Sequence, residues 1–161
     1  MVLLLGWGIQ VNKLNYFSKK KIILPEGFLL NSSELPPARL INKLLMSCGS
    51  DSFSNEKLTL AIKKSSFFFS IYNQQKLTIH GFVRVTSDKG LNANLWNLCA
   101  EPGNNQSLFY SVLLRSTLEK INREMPGCSI SVQAPPSSFA SLEESGFIID
   151  PNGIRVMGYK F

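Results

Sequence analysis

Nowhere in the 161 residues is there an apolar run approaching the ~20 residues that a membrane-spanning helix needs, so no bilayer-spanning segment is expected. The opening Met1-Val2-Leu3-Leu4-Leu5 run is too short for a secretory signal core, has no basic segment before it and has no clear cleavage site after it. A cytoplasmic protein is expected. Cysteine and histidine are scarce: Cys48, Cys99 and Cys128 form no C-x-x-C pair, and His80 is the single histidine. A zinc centre needs about four clustered ligands, so no metal site is expected, and the thiols are read as reduced and mostly buried. What is present is an apolar content of 44%, too high for a disordered chain, on a length that suits one domain.

The net charge of +6 is unevenly spread. Residues 1–64 carry nine Lys and Arg against four Asp and Glu, whereas residues 65–161 carry eight against seven. The excess sits chiefly in Lys19-Lys20-Lys21 and Lys63-Lys64. A basic patch attracts polyanions. No aromatic–basic motif of the RNA-binding kind accompanies this one, so it reads as a solvated, weakly ordered basic arm over residues 1–27, and nucleic acid is not expected as a partner.

Beyond the arm, an edge strand is expected around residues 27–30. A helix is predicted from Pro36-Pro37, where proline's missing N–H costs nothing, through Leu40, Ile41, Leu44 and Leu45 to Gly49. A second should start after Ser54 as N-cap and run through Leu58, Ala61 and Ile62. Three strands should follow, over residues 66–72, 77–85 and 91–100, joined by turns at 73–76 and 87–90. In the second, Leu77, Ile79, Val83 and Val85 mark an apolar face, and His80 and Arg84 a polar one. The third alternates as Leu91, Ala93, Leu95 and then slips to Trp96, Leu98, Ala100, the mark of a β-bulge. Pro102-Gly103 breaks the strand, and Tyr110, Leu114, Leu118, Ile121 and Met125 form one stripe of a long helix. A strand at 128–132, a short helix through Leu142 capped by Ser137 or Ser138 and stopped at Gly146, and a strand pair from 147–149 and 154–161 complete an α/β domain with a mixed sheet and helices on both faces.

The motifs Gly81-Phe82-Val83-Arg84-Val85-Thr86-Ser87-Asp88, Asn92-Ala93-Asn94-Leu95-Trp96-Asn97, Glu101-Pro102, Ser145-Gly146-Phe147 and Asp150-Pro151-Asn152-Gly153-Ile154 with Met157 occur in one order along the chain. Together they resemble the GNAT N-acetyltransferase superfamily, in the branch reading G-F-A-R-x-T-S-D, over roughly residues 28–161. The resemblance implies the GNAT acyl-CoA N-acyltransferase fold, a mixed sheet with a bulged central strand, and transfer of an acetyl group from acetyl-CoA to a primary amine on a small molecule or protein. It implies three devices: a loop and helix start holding the pyrophosphate, strand amides polarising the thioester carbonyl, and a base and acid, the acid often tyrosine.

Carried onto this sequence, the strand amides fall at Leu98, Cys99 and Ala100. The phosphate loop falls at Asn105, Gln106, Ser107, Leu108, Tyr110 and Ser111. A cofactor-contacting asparagine of the family falls on Ser137. Gln106, Leu108 and Tyr110 stand where the branch has glycines, and Leu142 stands where it has the acid tyrosine. Asp88 and Glu101 are the candidate bases. His80 reads as a structural hydrogen-bonder, Tyr110 and Tyr159 as packing residues that could replace the acid, and Cys99 as an acyl-enzyme candidate without a basic neighbour in sequence. Two functional readings stay open: an acetyl-CoA-dependent N-acetyltransferase, and a degenerate member of the fold serving as a binding or regulatory module. The oligomeric state, monomer or homodimer, is also open.

Overall fold

A computed structural model describes residues 22–149. The basic run at 19–21, Tyr159 and the expected strand at 154–161 lie outside the described residues. The elements, in order, are β1 (Phe28–Asn31), α1 (Ala38–Ser47), α2 (Asn55–Lys64), β2 (Phe67–Asn73), β3 (Thr78–Ser87), β4 (Asn92–Ala100), α3 (Gln106–Glu124), β5 (Ser129–Val132), a 3₁₀ turn (Pro136–Ser138) and α4 (Phe139–Glu144). The five strands lie in sequence order, β1 to β4 antiparallel and β5 parallel to β4.

Local chemistry explains most boundaries. Pro37 precedes α1, and Ser54 caps α2 by accepting the Lys57 N–H at 3.2 Å. The β2–β3 turn is tied by Asn73 Oδ1, which accepts from the Gln75 and Lys76 N–H groups. Gly146, at φ 91°, ends α4, and its N–H and that of Phe147 bond back to Glu143 and Leu142.

The sheet is covered on both faces. On one, Phe67, Phe69, Ile71, Val83, Val85, Ala93, Leu95, Leu98 and Ala100 pack against α3 and Leu142 of α4. On the other, Ile79, Phe82 and Cys99 pack against Ile41, Leu44 and Leu45 of α1 and Leu58 and Ile62 of α2. Gly81 allows the close approach of α3: a Cβ there would meet Ile71 Cδ1 and Leu113 Cδ1, each at 3.1 Å.

Several expectations need correction. Ile79 does not share a face with Val83 and Val85. The β2–β3 register runs from Ile71↔Gly81 to Tyr72↔Ile79, so His80 is an extra residue that turns Ile79 to the α1 side. Leu77 is exposed. The slip in β4 lies at Asn97–Leu98, not Leu95–Trp96: β3 pairs Phe82↔Cys99 but Arg84↔Trp96, leaving two residues of β4 opposite one. The buried side of α3 is wider than one stripe, taking in Phe109, Val112, Leu113 and Thr117, with Leu118 only half-buried. Ser138 makes no side-chain cap, because its hydroxyl donates to the Pro135 carbonyl. Residues 147–149 form no strand among the described residues: Phe147 packs on the core, while Ile148 and Ile149 are exposed.

Two substitutions test this packing. Gly81→Val should overfill the sheet–α3 contact and lower stability by about 1–3 kcal/mol. Thr117→Val should raise it by about 1 kcal/mol, because the buried Thr117 hydroxyl has no hydrogen-bond partner. Urea denaturation midpoints for both variants check the two signs.

Candidate functional site

The bulge has its own brace. Asn97 adopts φ 53°, a left-handed conformation that asparagine tolerates better than most residues. Its side-chain oxygen accepts from Arg84 Nε at 2.7 Å. The Arg84 guanidinium lies 5.7 Å from the Trp96 ring centre, and Trp96 Nε1 donates to Thr86 Oγ1 at 2.8 Å. Burial pulls the Arg84 pKa downward, yet these partners hold the group in place. Arg84, Thr86, Trp96 and Asn97 of the quoted motifs are therefore the clamp of a bulged hairpin.

Past the bulge the sheet is split. β5 pairs with β4 only from Asn92↔Ser129 to Leu95↔Val132, and then departs towards Pro135 and Pro136. Residues 96–100 of β4 keep β3 on one side and have no β5 residue paired on the other. The Glu101 N–H bonds the His80 carbonyl at 2.8 Å, so by strand alternation the main-chain groups of Ala100 face the open side. The Ala100 carbonyl is met there by Gln106 Nε2 from α3 at 2.9 Å and by the Cys48 thiol at the end of α1, 3.2 Å away. On the α3 side, fully buried Tyr110 places its hydroxyl 2.8 Å from Ser137 Oγ and beside the Ala100 amide. Burial raises the Tyr110 pKa, partly offset by Ser137 and by that amide.

At the same end of β4, Glu101 Oε2 contacts His80 Nδ1. His80 Nε2 lies 2.7 Å from Thr78 Oγ1, and its ring packs edge-on against Phe28 at 5.1 Å and Phe109 at 6.3 Å. His80 therefore does not share the polar face of Arg84. This pairing went unread in the sequence, although the signal exists. Counting outward from the turn at 87–90, the extra residue in β4 advances the register by one and sets His80 opposite Glu101 instead of Ala100.

The remaining sequence-derived residues divide plainly. Leu98 is buried towards α3, and Cys99 is buried towards α1. Asn105 stands at the start of α3 without a side-chain cap. Phe109 N–H takes the Asn105 carbonyl, so the Ser107 and Leu108 N–H groups have no intrahelical acceptor and belong to the open helix mouth. Ser107 is exposed there. The larger residues at the glycine positions turn inward: Gln106 to Ala100, Leu108 onto the core and Tyr110 to Ser137. The Ser111 hydroxyl is spent on the Ser107 carbonyl at 2.9 Å. Asp88 is not at the site. It sits across the full length of β4 from Glu101, about 26 Å at 3.3 Å per residue. Its Oδ1 accepts the N–H groups of Gly90, Leu91 and Asn92 at 2.8–3.0 Å, a turn clasp that holds its pKa near 2, with the Asn92 bond the largest cause. A separate groove of about 650 Å³, lined by Leu29, Glu34, Arg39, Tyr72 and Ile79 among others, contains none of the expected site residues.

No family model matches the chain. An uncharacterised N-acetyltransferase of Porphyra purpurea, ycf52, is 30% identical over 139 residues, which are 85% of this chain and 79% of that protein. The chain belongs to the ycf52 N-acetyltransferase family. Among solved structures, a probable acetyltransferase of unknown function from Staphylococcus aureus superposes with a TM-score of 0.74 at 15% identity, covering 83% of this chain and 99% of that one. A predicted acetyltransferase of Clostridium acetobutylicum, solved with acetyl-CoA, superposes at 0.53 and 12% identity, covering 81% and 96%. These likenesses confirm the GNAT fold expected from the motifs, a mixed sheet flanked by helices.

In this GNAT chain the Leu142 side chain is buried at 4% exposure in the core, so no acid comes from that position of α4. Tyr110 is the phenol at the open edge of β4. Among the described residues no helix is long and apolar enough to cross a membrane, and no cluster of metal-ligating side chains occurs.

Removing the clasp with Asp88→Ala should lower the melting temperature. The depressed Asp88 pKa means that its contribution is complete above about pH 4 and is lost as pH falls towards 2. The difference in melting temperature between wild type and Asp88→Ala, measured from pH 7 down to 2, should therefore shrink steadily below about pH 4 and be small at the acid end.

Proposed function

We propose that the protein transfers the acetyl group of acetyl-CoA to a primary amine, with the thioester lying along residues 98–100 of β4. The observation that carries this reading is the open β4 edge, where the main chain of Ala100 faces the gap left by β5. In this reading the Ala100 N–H, which meets the Tyr110 hydroxyl in the structure, donates instead to the thioester carbonyl oxygen, whose negative charge grows as the amine adds. The Ser107 and Leu108 N–H groups at the mouth of α3 supply donors and the positive end of a helix dipole to the pyrophosphate. The inward turn of Gln106, Leu108 and Tyr110 supports this, because it keeps their side chains off the mouth.

In this reading Glu101 takes the amine proton, directly or through one water, and His80 fixes the carboxylate from the opposite strand. The tetrahedral adduct collapses and expels the coenzyme A thiolate. Tyr110, held by Ser137, provides the proton for that thiolate. Asp88 has no part in the reaction.

Two measurements test the proposal. Acetyl-CoA in hundredfold excess over its Kd should stabilise the fold by about 2.7 kcal/mol, seen as a rise in melting temperature. Glu101→Gln should keep that rise while kcat/KM for amine acetylation falls roughly 100-fold or more. No rise at millimolar acetyl-CoA would favour the other reading, a GNAT-fold module that binds a partner without catalysis.

A further inference from the structure

His80 grips Glu101 twice. The Glu101 N–H donates to the His80 carbonyl at 2.8 Å, and Glu101 Oε2 meets His80 Nδ1. Two bare acceptors cannot share such a contact, so between a carboxylate and a neutral imidazole the proton sits on Nδ1. The other ring nitrogen, Nε2, is then an acceptor. Its partner is the hydroxyl of Thr78, at 2.7 Å. Thr78 is the first residue of β3, paired with Asn73 of β2. The ring has few alternatives. The His80 side chain is 13% exposed, and Phe28 and Phe109 pack edge-on against it without offering a polar group. A rotation that took Nε2 away from Thr78 would also break the contact with Glu101.

We propose that Thr78 is a positioning residue of the acetyl-transfer site: its hydroxyl donates to His80 Nε2, fixes the Nδ1–H tautomer, and through that ring holds the Glu101 carboxylate in place to take the amine proton. The inference deepens the function proposed above and rests on Glu101 as the base. Threonine suits the task because its hydroxyl donates, whereas a valine of similar shape has nothing to donate. Without that donor Nε2 is left unpaired beside two phenylalanines, and the ring gains by moving its proton there. Nδ1 then presents a lone pair to the carboxylate, and the hold on Oε2 is lost. With the hold intact, Oε2 is occupied and Oε1 is the oxygen left for the amine. The Glu101 side chain is 45% exposed, so it remains open to an incoming substrate.

His80 is the single histidine of the chain, so one pair of ring ¹⁵N resonances reports it without ambiguity. The experiment is a two-bond ¹H–¹⁵N spectrum of the labelled chain at about pH 8, above the ordinary histidine range. It is paired with steady-state release of coenzyme A from acetyl-CoA against a panel of primary amines (polyamines, amino sugars and a lysine peptide). Wild type and Thr78→Ser should show a protonated Nδ1 and a bare Nε2, and Thr78→Val a mixed or reversed tautomer. In Thr78→Val kcat should fall roughly tenfold or more. The KM for the amine and the rise in melting temperature with acetyl-CoA should stay as in wild type, and Thr78→Ser should recover most of kcat. Melting curves confirm that the variants fold, and the wild-type spectrum needs no variant. A bare Nδ1 in an active wild type, or a Thr78→Val chain that keeps the wild-type tautomer or the wild-type kcat, overturns the inference and leaves the proposed function standing. A wild type neither stabilised by acetyl-CoA nor active on the panel overturns both.

Discussion

One surplus residue in β4 governs the site. Because two residues of β4 lie opposite one of β3 at Asn97–Leu98, the strand bends and loses its partner on the β5 side. The bend holds only because Arg84 takes the Asn97 side chain and Trp96 closes over the guanidinium. An unbraced bulge would leave polar groups unpaired and a left-handed residue unsupported. Here a charged hydrogen bond and a ring contact stabilise a main-chain geometry that an ordinary ladder would avoid. The same surplus residue advances the pairing so that His80 meets Glu101. Opening of the sheet and the meeting of His80 with Glu101 are two results of one register change.

The helices then finish what the bulge opens. α3 reaches the Ala100 carbonyl, which has no strand partner, with Gln106 and the same edge with Tyr110, while α1 reaches it from the other face with Cys48. Gly81 makes this possible on the α3 side, because a side chain there would press on Leu113. The glycines that family members carry at the start of this helix are replaced by larger residues, but the replacements point into the protein.

Much of the fold was legible because local rules and burial agreed. The α1, α2 and α3 segments, the three-strand meander, the parallel return and the Gly146 stop rest on capping, periodicity and turn chemistry that neighbours did not override. Legibility failed where register mattered. The Leu77–Ile79 face is not the one the alternation suggests, because His80 is an extra residue within β3 that reverses it, and a period of two leaves no mark of such an insertion. Asp88 reads as a base because it is an acid at a strand end, but its Oδ1 accepts three backbone N–H groups and its Oδ2 the Asn92 side-chain amide. Ser137 reads as a helix cap, but its hydroxyl meets that of Tyr110 instead.

The sequence by itself determined the element order from β1 to α4, the α/β class, the presence of a bulge near Trp96 and the family, since each depends on neighbours along the chain or on ordered motifs. The tertiary structure decided which polar residues meet. His80 with Glu101, Tyr110 with Ser137, and Cys48 with the Ala100 carbonyl join residues separated by 21, 27 and 52 positions. Such pairings are set by strand register and by how closely helices approach a sheet. A single inserted residue or a single glycine changes both, and neither leaves a periodic trace.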